Sequence, residues 1–133
     1  MKKFFTKLIE GSSILPPDMI STAFILNFPG ALNAEWYNRK EGGFEVIFYN
    51  DDIEHIAIFD SQGVLNEYKK SLPVNYMPEK IKSELESKGE IMNVVMINHG
   101  NRITYEVIIR DKQFIRSLLL LNEWGEIQSE RKL

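Results

Sequence analysis

Hydrophobic residues near the start of the chain are three or four positions apart, which is the spacing of one face of an α-helix. They are Ile20, Ala23, Phe24 and Phe28. Pro16-Pro17-Asp18 precedes them and suits the first turn of a helix, and Pro29-Gly30 follows them and ends it. This pattern predicts a short helix with one buried side.

Beyond this helix, apolar and polar residues alternate with a period of two, which is the pattern of β-strands. Four such runs follow one another: Ala34–Tyr37, Phe44–Tyr49, Ile53–Phe59 and Val64–Lys69. Residues typical of turns separate them at intervals of about 8–12 positions, as in an antiparallel meander. We therefore expect four consecutive strands, each antiparallel to the next.

The same order of elements then begins again. Pro78 opens a second predicted helix, Glu79–Lys88, and Gly89 ends it. Four further strand-like runs come next: Ile91–Ile97, Ile103–Arg110, Gln113–Leu121 and Ile127–Glu130. The chain thus contains two copies of a helix followed by four strands.

Particular residues keep their register between the copies. Pro78 lies 61 positions after Pro17, Tyr105-Glu106-Val107-Ile108 lies 61 positions after Phe44-Glu45-Val46-Ile47, and Gly125 lies 62 positions after Gly63. Two copies of about 60 residues indicate a duplication and not a solenoid. We predict an α+β fold in which two tandem α-β-β-β-β repeats form one antiparallel sheet of about eight strands, with helices packed on one face.

The predicted organisation is a single domain preceded by a short segment. Residues 16–133 form the domain, with repeats at 16–72 and 73–133. Residues 1–15 form an N-terminal amphipathic segment whose apolar side carries Phe4, Phe5, Leu8 and Ile9. Lys7 and Glu10 interrupt this segment, so we do not identify it as a signal peptide. The sequence as given then indicates a cytoplasmic protein, unless a natural leader was removed.

Composition excludes several classes of function. The chain has 133 residues and a net charge of −3, with no clustering of basic residues, so we expect no binding of nucleic acid. There is no cysteine, which rules out disulfides and sites built on thiolates. No apolar run approaches the roughly 18 residues of a membrane span.

The first copy contains a set of motifs that resembles a known family. "AFILNFPGALNAEWY" is followed by "GGFEVIFY" and "IFDSQGVLNEYK". Together they resemble the PepSY-like, β-lactamase-inhibitor-like (BLIP-like) family, with its AF–FPGA–W junction and FD-x-x-G turn. The resemblance covers roughly residues 16–130 and is looser in the second copy, where "LNEWGEI" replaces the FD-x-x-G turn.

This resemblance implies a tandem α+β domain with helices on one face of the sheet and a gently concave open face on the other. In the β-lactamase inhibitor architecture the open face binds another protein. Members of the family are mostly exported from bacterial cells, and most have no established function. The resemblance thus favours export, in contrast to the cytoplasmic location that the chain itself indicates.

Few residues have the arrangement that catalysis requires. His55 and His99 do not occupy equivalent positions in the two copies, and we interpret them as strand and turn residues. Glu45 and Glu106 are equivalent and could act as an acid–base pair, but each also fits the polar position of an alternating strand. We therefore predict that the protein is not an enzyme.

Acidic and glycine-rich turns do not indicate a bound cofactor or metal. Asp51-Asp52 and Asp60 with Gln62 lack the alternating oxygen ligands of a calcium loop, and Asp60 and Gly63 are typical turn residues. Gly42-Gly43 lies within a hairpin and not in a phosphate-binding loop. We predict no metal and no cofactor.

Several strands are apolar on both faces, which is unexpected for a sheet with helices on one side only. We interpret the second apolar face as a surface that binds another protein or a second copy of this chain. The predicted contact residues are Tyr37, Glu45, Ile47, Tyr49, Val95, Ile97, Glu106 and Ile108. One alternative is that these residues are core residues, covered by the N-terminal segment, by the residue 70–77 linker or by coiling of the sheet. The others are a small-ligand site near Glu45 and Glu106 and a structural homodimer. A hydrolase is the weakest alternative.

Overall fold

The computed structural model describes residues 13–133, and the chain divides into two compact units. Unit 1 is Met1–Lys70 and unit 2 is Ser71–Leu133. Most of the predicted N-terminal segment, residues 1–12, lies outside the described residues. The first described residues run along the edge of β1, where Ile14 forms a β-bridge with Trp36.

The described part of unit 1 contains one helix and four strands, and each strand is antiparallel to the next. Its elements are α1 (Asp18–Asn27), β1 (Leu32–Asn38), β2 (Phe44–Asn50), β3 (Ile53–Phe59) and β4 (Leu65–Ser71). These bounds agree with the predicted elements to within two residues. The periodicity of the sequence is therefore sufficient to place every element of this unit.

Unit 2 repeats this order after a short 3₁₀ helix at Val74–Tyr76. Its elements are α2 (Glu79–Glu86), β5 (Glu90–His99), β6 (Arg102–Arg110), β7 (Arg116–Asn122) and β8 (Ile127–Lys132). Strands β5 to β8 again pair antiparallel in chain order.

All the strands belong to one antiparallel sheet of eight, and their order in the sheet is their order in the sequence. Each unit packs its own helix against one face of its strands. This arrangement confirms the predicted α+β class with two tandem repeats.

The helix-side core of unit 1 is built from the aromatic residues of the family-like motif. Phe24 of α1 is 6% exposed, and its ring lies 5.3 Å from that of Trp36 and 5.0 Å from that of Phe48, both edge-to-face. Phe28 contacts Phe48 at 4.8 Å. Aromatic pairs at these separations each contribute about 0.5–1.5 kcal/mol beyond the area they bury. The AF–FPGA–W motif is therefore a packing motif, and its tryptophan, Trp36, is a core residue.

The helix-side core of unit 2 is aliphatic. Ile81 and Leu85 are the buried residues of α2. They belong to one cluster with Val94, Val107 and Leu119, which are at most 1% exposed. The remaining positions of α2 are mostly charged, so this helix presents a solvated outer side.

Equivalent turns in the two units have the same hydrogen bonds. Asp60 Oδ1 accepts from the backbone N–H groups two and four residues later, at 2.8 and 3.0 Å. Asn122 Oδ1 accepts from the same two positions at 3.0 and 2.9 Å. Gly63 and Gly125 both have φ of 87°, a conformation that glycine adopts without strain. The looser "LNEWGEI" sequence therefore forms the same turn as FD-x-x-G.

The start of β7 differs from the prediction. The strand begins at Arg116 and not at Gln113, because Asp111 forms the same side-chain turn at 2.8 and 3.0 Å and keeps residues 111–115 out of the strand. Phe114 occupies the position that glycine has in the other two turns, with φ of 63°. The sequence predicts a turn at Asp111-Lys112, and the structure shows that this turn is longer, because its fourth residue is an aromatic one that resembles a strand residue.

Between residues 13 and 133, neither helix is long and apolar enough to cross a membrane.

Candidate protein-binding face

In each unit we call the sheet face opposite the helix the open face. On the open face of unit 1, strands β1 to β3 bring together four apolar side chains, which we call the unit-1 apolar cluster: Tyr37, Ile47, Ile56 and Ile58. Their exposures are 9%, 1%, 2% and 8%. Tyr37 and Ile47 were predicted to lie on this face, and the structure places them there in a buried state.

The sequence analysis did not select Ile56 and Ile58 for this face. Their strand, β3, has apolar residues on both faces of the sheet. Ala57 and Phe59 belong to the helix-side core, and the two isoleucines lie on the open face. Ile56 pairs directly with Ile47 across β2 and β3. The two-sided apolarity of residues 53–59 was the signal that could have identified them.

Two tyrosine–glutamate pairs border the unit-1 apolar cluster. The Tyr37 hydroxyl donates to Glu35 Oε2 at 2.8 Å, and the Tyr49 hydroxyl donates to Glu54 Oε2 at 2.7 Å. Glu54 is only 4% exposed, and Tyr49 lies directly opposite it in the ladder. Burial, followed by the hydrogen bond to Glu54, raises the pKa of Tyr49 to about 12. Tyr49 therefore acts as a fixed donor to a buried carboxylate.

Glu45 also lies on the open face of unit 1. It pairs with Tyr37 of β1 on one side and with Ile58 of β3 on the other. Burial among these side chains raises its pKa, although the positive charges of Arg39 and Lys69 act in the opposite direction. Glu45 adds a third carboxylate to the margin of the cluster.

The open face of unit 2 carries the other four predicted contact residues. Val95 and Ile97 of β5 are 3% and 8% exposed. Glu106 and Ile108 of β6 are both partly exposed, and Glu106 pairs directly with Val95. The structure therefore brings each set of four predicted residues together within its own unit. Their role in contacting a partner stays a prediction.

Strand β7 extends this face with two leucines that the sequence analysis did not select. Leu118 pairs with Ile108, and Leu120 pairs with Glu106. Both leucines are partly exposed. The run of four leucines at 118–121 was the signal, since alternation must place two of them on each face.

A shallow groove of about 390 Å³ lies on these strands of unit 2. It is lined by Glu106, Leu118, Leu120, Ser129, Glu130 and Arg131. Its leucines provide an apolar floor, and the two carboxylates and the guanidinium provide charged groups beside it. This is the composition of a protein interface, with an apolar centre and a polar margin.

Two other surfaces of the described residues are distinct from the open faces. A groove of about 660 Å³ lies beside the end of α2, where Arg110 is paired with Glu90 Oε1 at 2.7 Å and approaches the Phe114 ring at 5.4 Å. On the outer side of α1, Met19, Ile25 and Leu26 are 55%, 61% and 77% exposed. The first contains opposite charges that are already paired with each other. The second consists of exposed apolar side chains of a single helix.

The two histidines have the structural roles that the sequence analysis favoured. His55 is 7% exposed and stacks between the rings of Phe48 and Tyr68, at 5.1 and 5.5 Å. A 2.8 Å hydrogen bond joins its Nδ1 to the Tyr68 hydroxyl. His99 is exposed at the end of β5.

No group of three or more metal-ligating side chains occurs within the described range 13–133. Asp60 uses its carboxylate to accept two backbone hydrogen bonds of its own turn. The acidic turns are therefore explained by local backbone structure.

No protein-family sequence model and no curated protein matches this chain. Solved structures do match it. A DUF2874 family protein from Bacteroides uniformis superposes with a TM-score of 0.77 at 17% identity, covering 89% of this chain and 90% of that one. A BLIP-like protein from Bacteroides fragilis superposes with a TM-score of 0.75 at 16% identity, covering 90% and 88%.

A predicted periplasmic protein from Bacteroides eggerthii also has this fold, with a TM-score of 0.77 at 13% identity and 90% coverage of both chains. These matches cover about nine tenths of the chain and therefore include residues of both units. Because the identities are low, the comparisons establish a shared fold. The BLIP-like resemblance of the sequence motifs is thereby confirmed as a resemblance of fold.

Proposed function

We propose that this chain is a non-enzymatic, inhibitor-like protein-binding module and that the open face of unit 2 contacts the partner. One observation carries the proposal. Ile108, Leu118 and Leu120 form a partly exposed apolar strip, in which Ile108 pairs directly with Leu118. The two leucines also line a groove with Glu106 and Arg131. Apolar side chains that remain accessible beside charged groups favour docking of another protein surface.

The chemistry of the groove supports binding more than catalysis. Its lining residues include two carboxylates, one serine, one arginine and two leucines. A hydrolytic site would require a base within hydrogen-bond distance of a nucleophile. Neither His55 nor His99 lines this groove. His55 is enclosed on the helix side of unit 1, and His99 lies at a strand end.

The family resemblance gives the class of partner. In the β-lactamase inhibitor architecture the open sheet face binds a folded protein, and a solved structure with this fold is named a BLIP-like protein. We propose a folded protein as the partner. The same comparisons include a predicted periplasmic protein, which makes the periplasm the compartment that we propose for this encounter.

A small ligand is the second candidate for the same groove. Its volume of about 390 Å³ falls within the range of about 300–1,000 Å³ typical of ligand pockets. Arg131 and Glu106 would then fix a polar ligand above the leucines. A homodimer through the same strip is the third candidate, since an isologous contact would use Ile108 from both copies.

A charge placed in the strip separates these possibilities. We expect Ile108→Asp to abolish capture of a folded partner from extracts of the source organism, because a desolvated carboxylate would face the partner's apolar surface. Leu26→Asp is the matched control, since Leu26 is 77% exposed on α1. A partner identified by mass spectrometry should then bind the purified wild type and the control, but not the Ile108→Asp variant.

Other results would contradict the proposal. Loss of capture with Leu26→Asp alone would assign the contact to α1. A wild type that is a dimer by light scattering, with a folded monomeric Ile108→Asp variant, would assign the strip to self-association. A small molecule that raises the melting temperature only when Ile108 is intact would assign it to a ligand.

A further inference from the structure

Glu106 lies among uncharged side chains on the open face of unit 2. In the sheet it pairs directly with Val95 of β5 and with Leu120 of β7. Its neighbours on the same face of β6, two positions before and after it, are Thr104 and Ile108. The diagonal neighbours on the adjacent strands are Asn93, Ile97, Leu118 and Asn122. The carboxylate of Glu106 is therefore a single charge surrounded by apolar and neutral polar groups.

This carboxylate has no partner within residues 13–133. Neither a hydrogen bond nor an ion pair of this part of the chain involves Glu106. Arg131 lines the same groove, but it lies on β8, two strand spacings or about 10 Å from β6. Glu106 is partly exposed, so its charge is accessible to solvent in the free protein.

The repeat provides an internal comparison, because Glu45 of unit 1 is the equivalent residue. Burial raises the pKa of Glu45, and the positive charges of Arg39 and Lys69 lower it, with Arg39 the stronger of the two. Unit 2 has a counterpart of Lys69 in Arg131, 62 positions later. The position 61 residues after Arg39 is Gly100, which has no charge. Unit 2 therefore lacks the cation that acts most strongly on the equivalent carboxylate.

A protein that docks on this face removes solvent from Glu106. An unpaired charge that loses its solvent destabilises a complex, and charged residues are accordingly depleted at the centre of protein interfaces. A cation against the carboxylate reverses this effect, because a charge-assisted hydrogen bond replaces the solvent. Arginine fits best, since its guanidinium can donate two parallel hydrogen bonds to one carboxylate and is more weakly hydrated than an ammonium group.

We propose that Glu106 determines the specificity of this face and that the partner is a folded protein with an arginine, surrounded by apolar side chains, whose guanidinium binds the Glu106 carboxylate. The apolar neighbours Ile108 and Leu120 then contact the apolar side chains of the partner and exclude water from the ion pair. This inference rests on the proposed function, since both place the partner on the open face of unit 2. It adds the charge and the chemistry of the surface that the partner presents.

A library of protein surfaces tests this preference without the natural partner. One small folded domain with a randomised surface patch is displayed on phage and selected for binding to the wild-type chain. The clones retained are those that do not bind the Ile108→Gln variant, an uncharged change that leaves the charge of the face as it is. We expect arginine to be enriched at least about threefold over the input library in the retained clones, with lysine enriched less.

Variants of Glu106 then test the contact itself. Glu106→Gln keeps the shape of the side chain and removes its charge, so the affinity of the retained clones should fall at least about thirtyfold. The matched control is Glu84→Gln, at an exposed position of α2, which should change the affinity by less than about twofold. Selection repeated on Glu106→Lys should enrich aspartate and glutamate in place of arginine. Circular dichroism checks that each variant is folded.

Failure of this inference and failure of the proposed function give different results. Retained clones without arginine enrichment, or with affinities that Glu106→Gln leaves unchanged, would overturn the inference and leave the proposed function in place. A library without any clone that depends on Ile108 would contradict the proposed function and the inference together.

A second copy of the chain is the other occupant to be tested, because its Arg131 could supply the cation. Light scattering on the wild type decides this point, and we expect a monomer. A dimer that dissociates with Glu106→Arg, and that forms again when Arg131→Glu is added, would assign the site to self-association and overturn the inference.

Discussion

At the scale of single residues, His55 links the stability of unit 1 to pH. Its ring is enclosed between Phe48 and Tyr68 and is 7% exposed. Burial lowers its pKa below the ordinary value of 6.5, and the positive charge of Lys70 acts in the same direction. The folded protein therefore holds this histidine neutral at a pH where the unfolded chain is already protonated.

The consequence is a loss of stability on the acid side. As the pH falls below about 6.5, the unfolded state binds a proton that the folded state resists, so the free energy of unfolding decreases until the pH passes the folded pKa. We expect His55→Gln to remove this part of the slope in urea titrations between pH 7.5 and 5, since glutamine does not titrate. His99→Gln, at an exposed site, should keep the wild-type slope. If both variants keep it, another group is responsible.

Single residues also show what sequence alone could predict. Trp36 has the same parity as Ala34 and follows the helix, a pattern that predicts a core residue, and it is 7% exposed in the helix-side cluster. Tyr37 and Ile47 were assigned to the open face by the same alternation, and they lie there. Alternation gives the face of a residue, but it does not give what covers that face.

At the scale of elements, the turn between the last two strands of each unit contains a glycine, and the space between that glycine and the helix differs between the units. A Cβ added to Gly63 would meet Ala23 at 3.7 Å, an ordinary contact. A Cβ added to Gly125 would meet Ile81 Cγ1 at 2.7 Å, which is too close. Both glycines have φ of 87°, so their backbone requirement is the same.

This difference predicts unequal costs for equivalent substitutions. Gly63→Ala should lower the free energy of unfolding by about 1 kcal/mol, the cost of a side chain at positive φ. Gly125→Ala should lower it by about 2–4 kcal/mol, because overpacking against the buried Ile81 is added. Urea unfolding of both variants measures the difference. Adding Ile81→Val should recover part of the loss at residue 125; equal losses at the two glycines would contradict the packing argument.

The elements themselves were largely predictable. Their order and pairing followed from a helical period, a period of two and regular turn residues, and the duplication fixed the register between the copies. The start of β7 was not predictable in this way, because Asp111 closes a turn whose positive-φ position holds Phe114 and not glycine. The turn depends on a side-chain hydrogen bond that leaves no apolar pattern.

At the scale of the whole molecule, the duplicated fold gives one equivalent pair of open-face residues different accessibility. Ile47 is buried in a cluster bordered by carboxylates, and its equivalent Ile108 lies partly exposed beside leucines and a groove. The sequence analysis assigned both residues to one contact surface because their local patterns are the same. The distinction depends on tertiary packing around each residue, which periodicity does not encode.

The rate at which single cysteines react tests this central claim most directly. Ile47→Cys and Ile108→Cys place a thiol at the same repeat position in a chain with no other cysteine. Thiol reactivity follows exposure, so a maleimide should label residue 108 at least about tenfold faster than residue 47 in the folded protein, with equal rates after unfolding. Equal labelling rates in the folded state, or faster labelling at residue 47, would contradict the account.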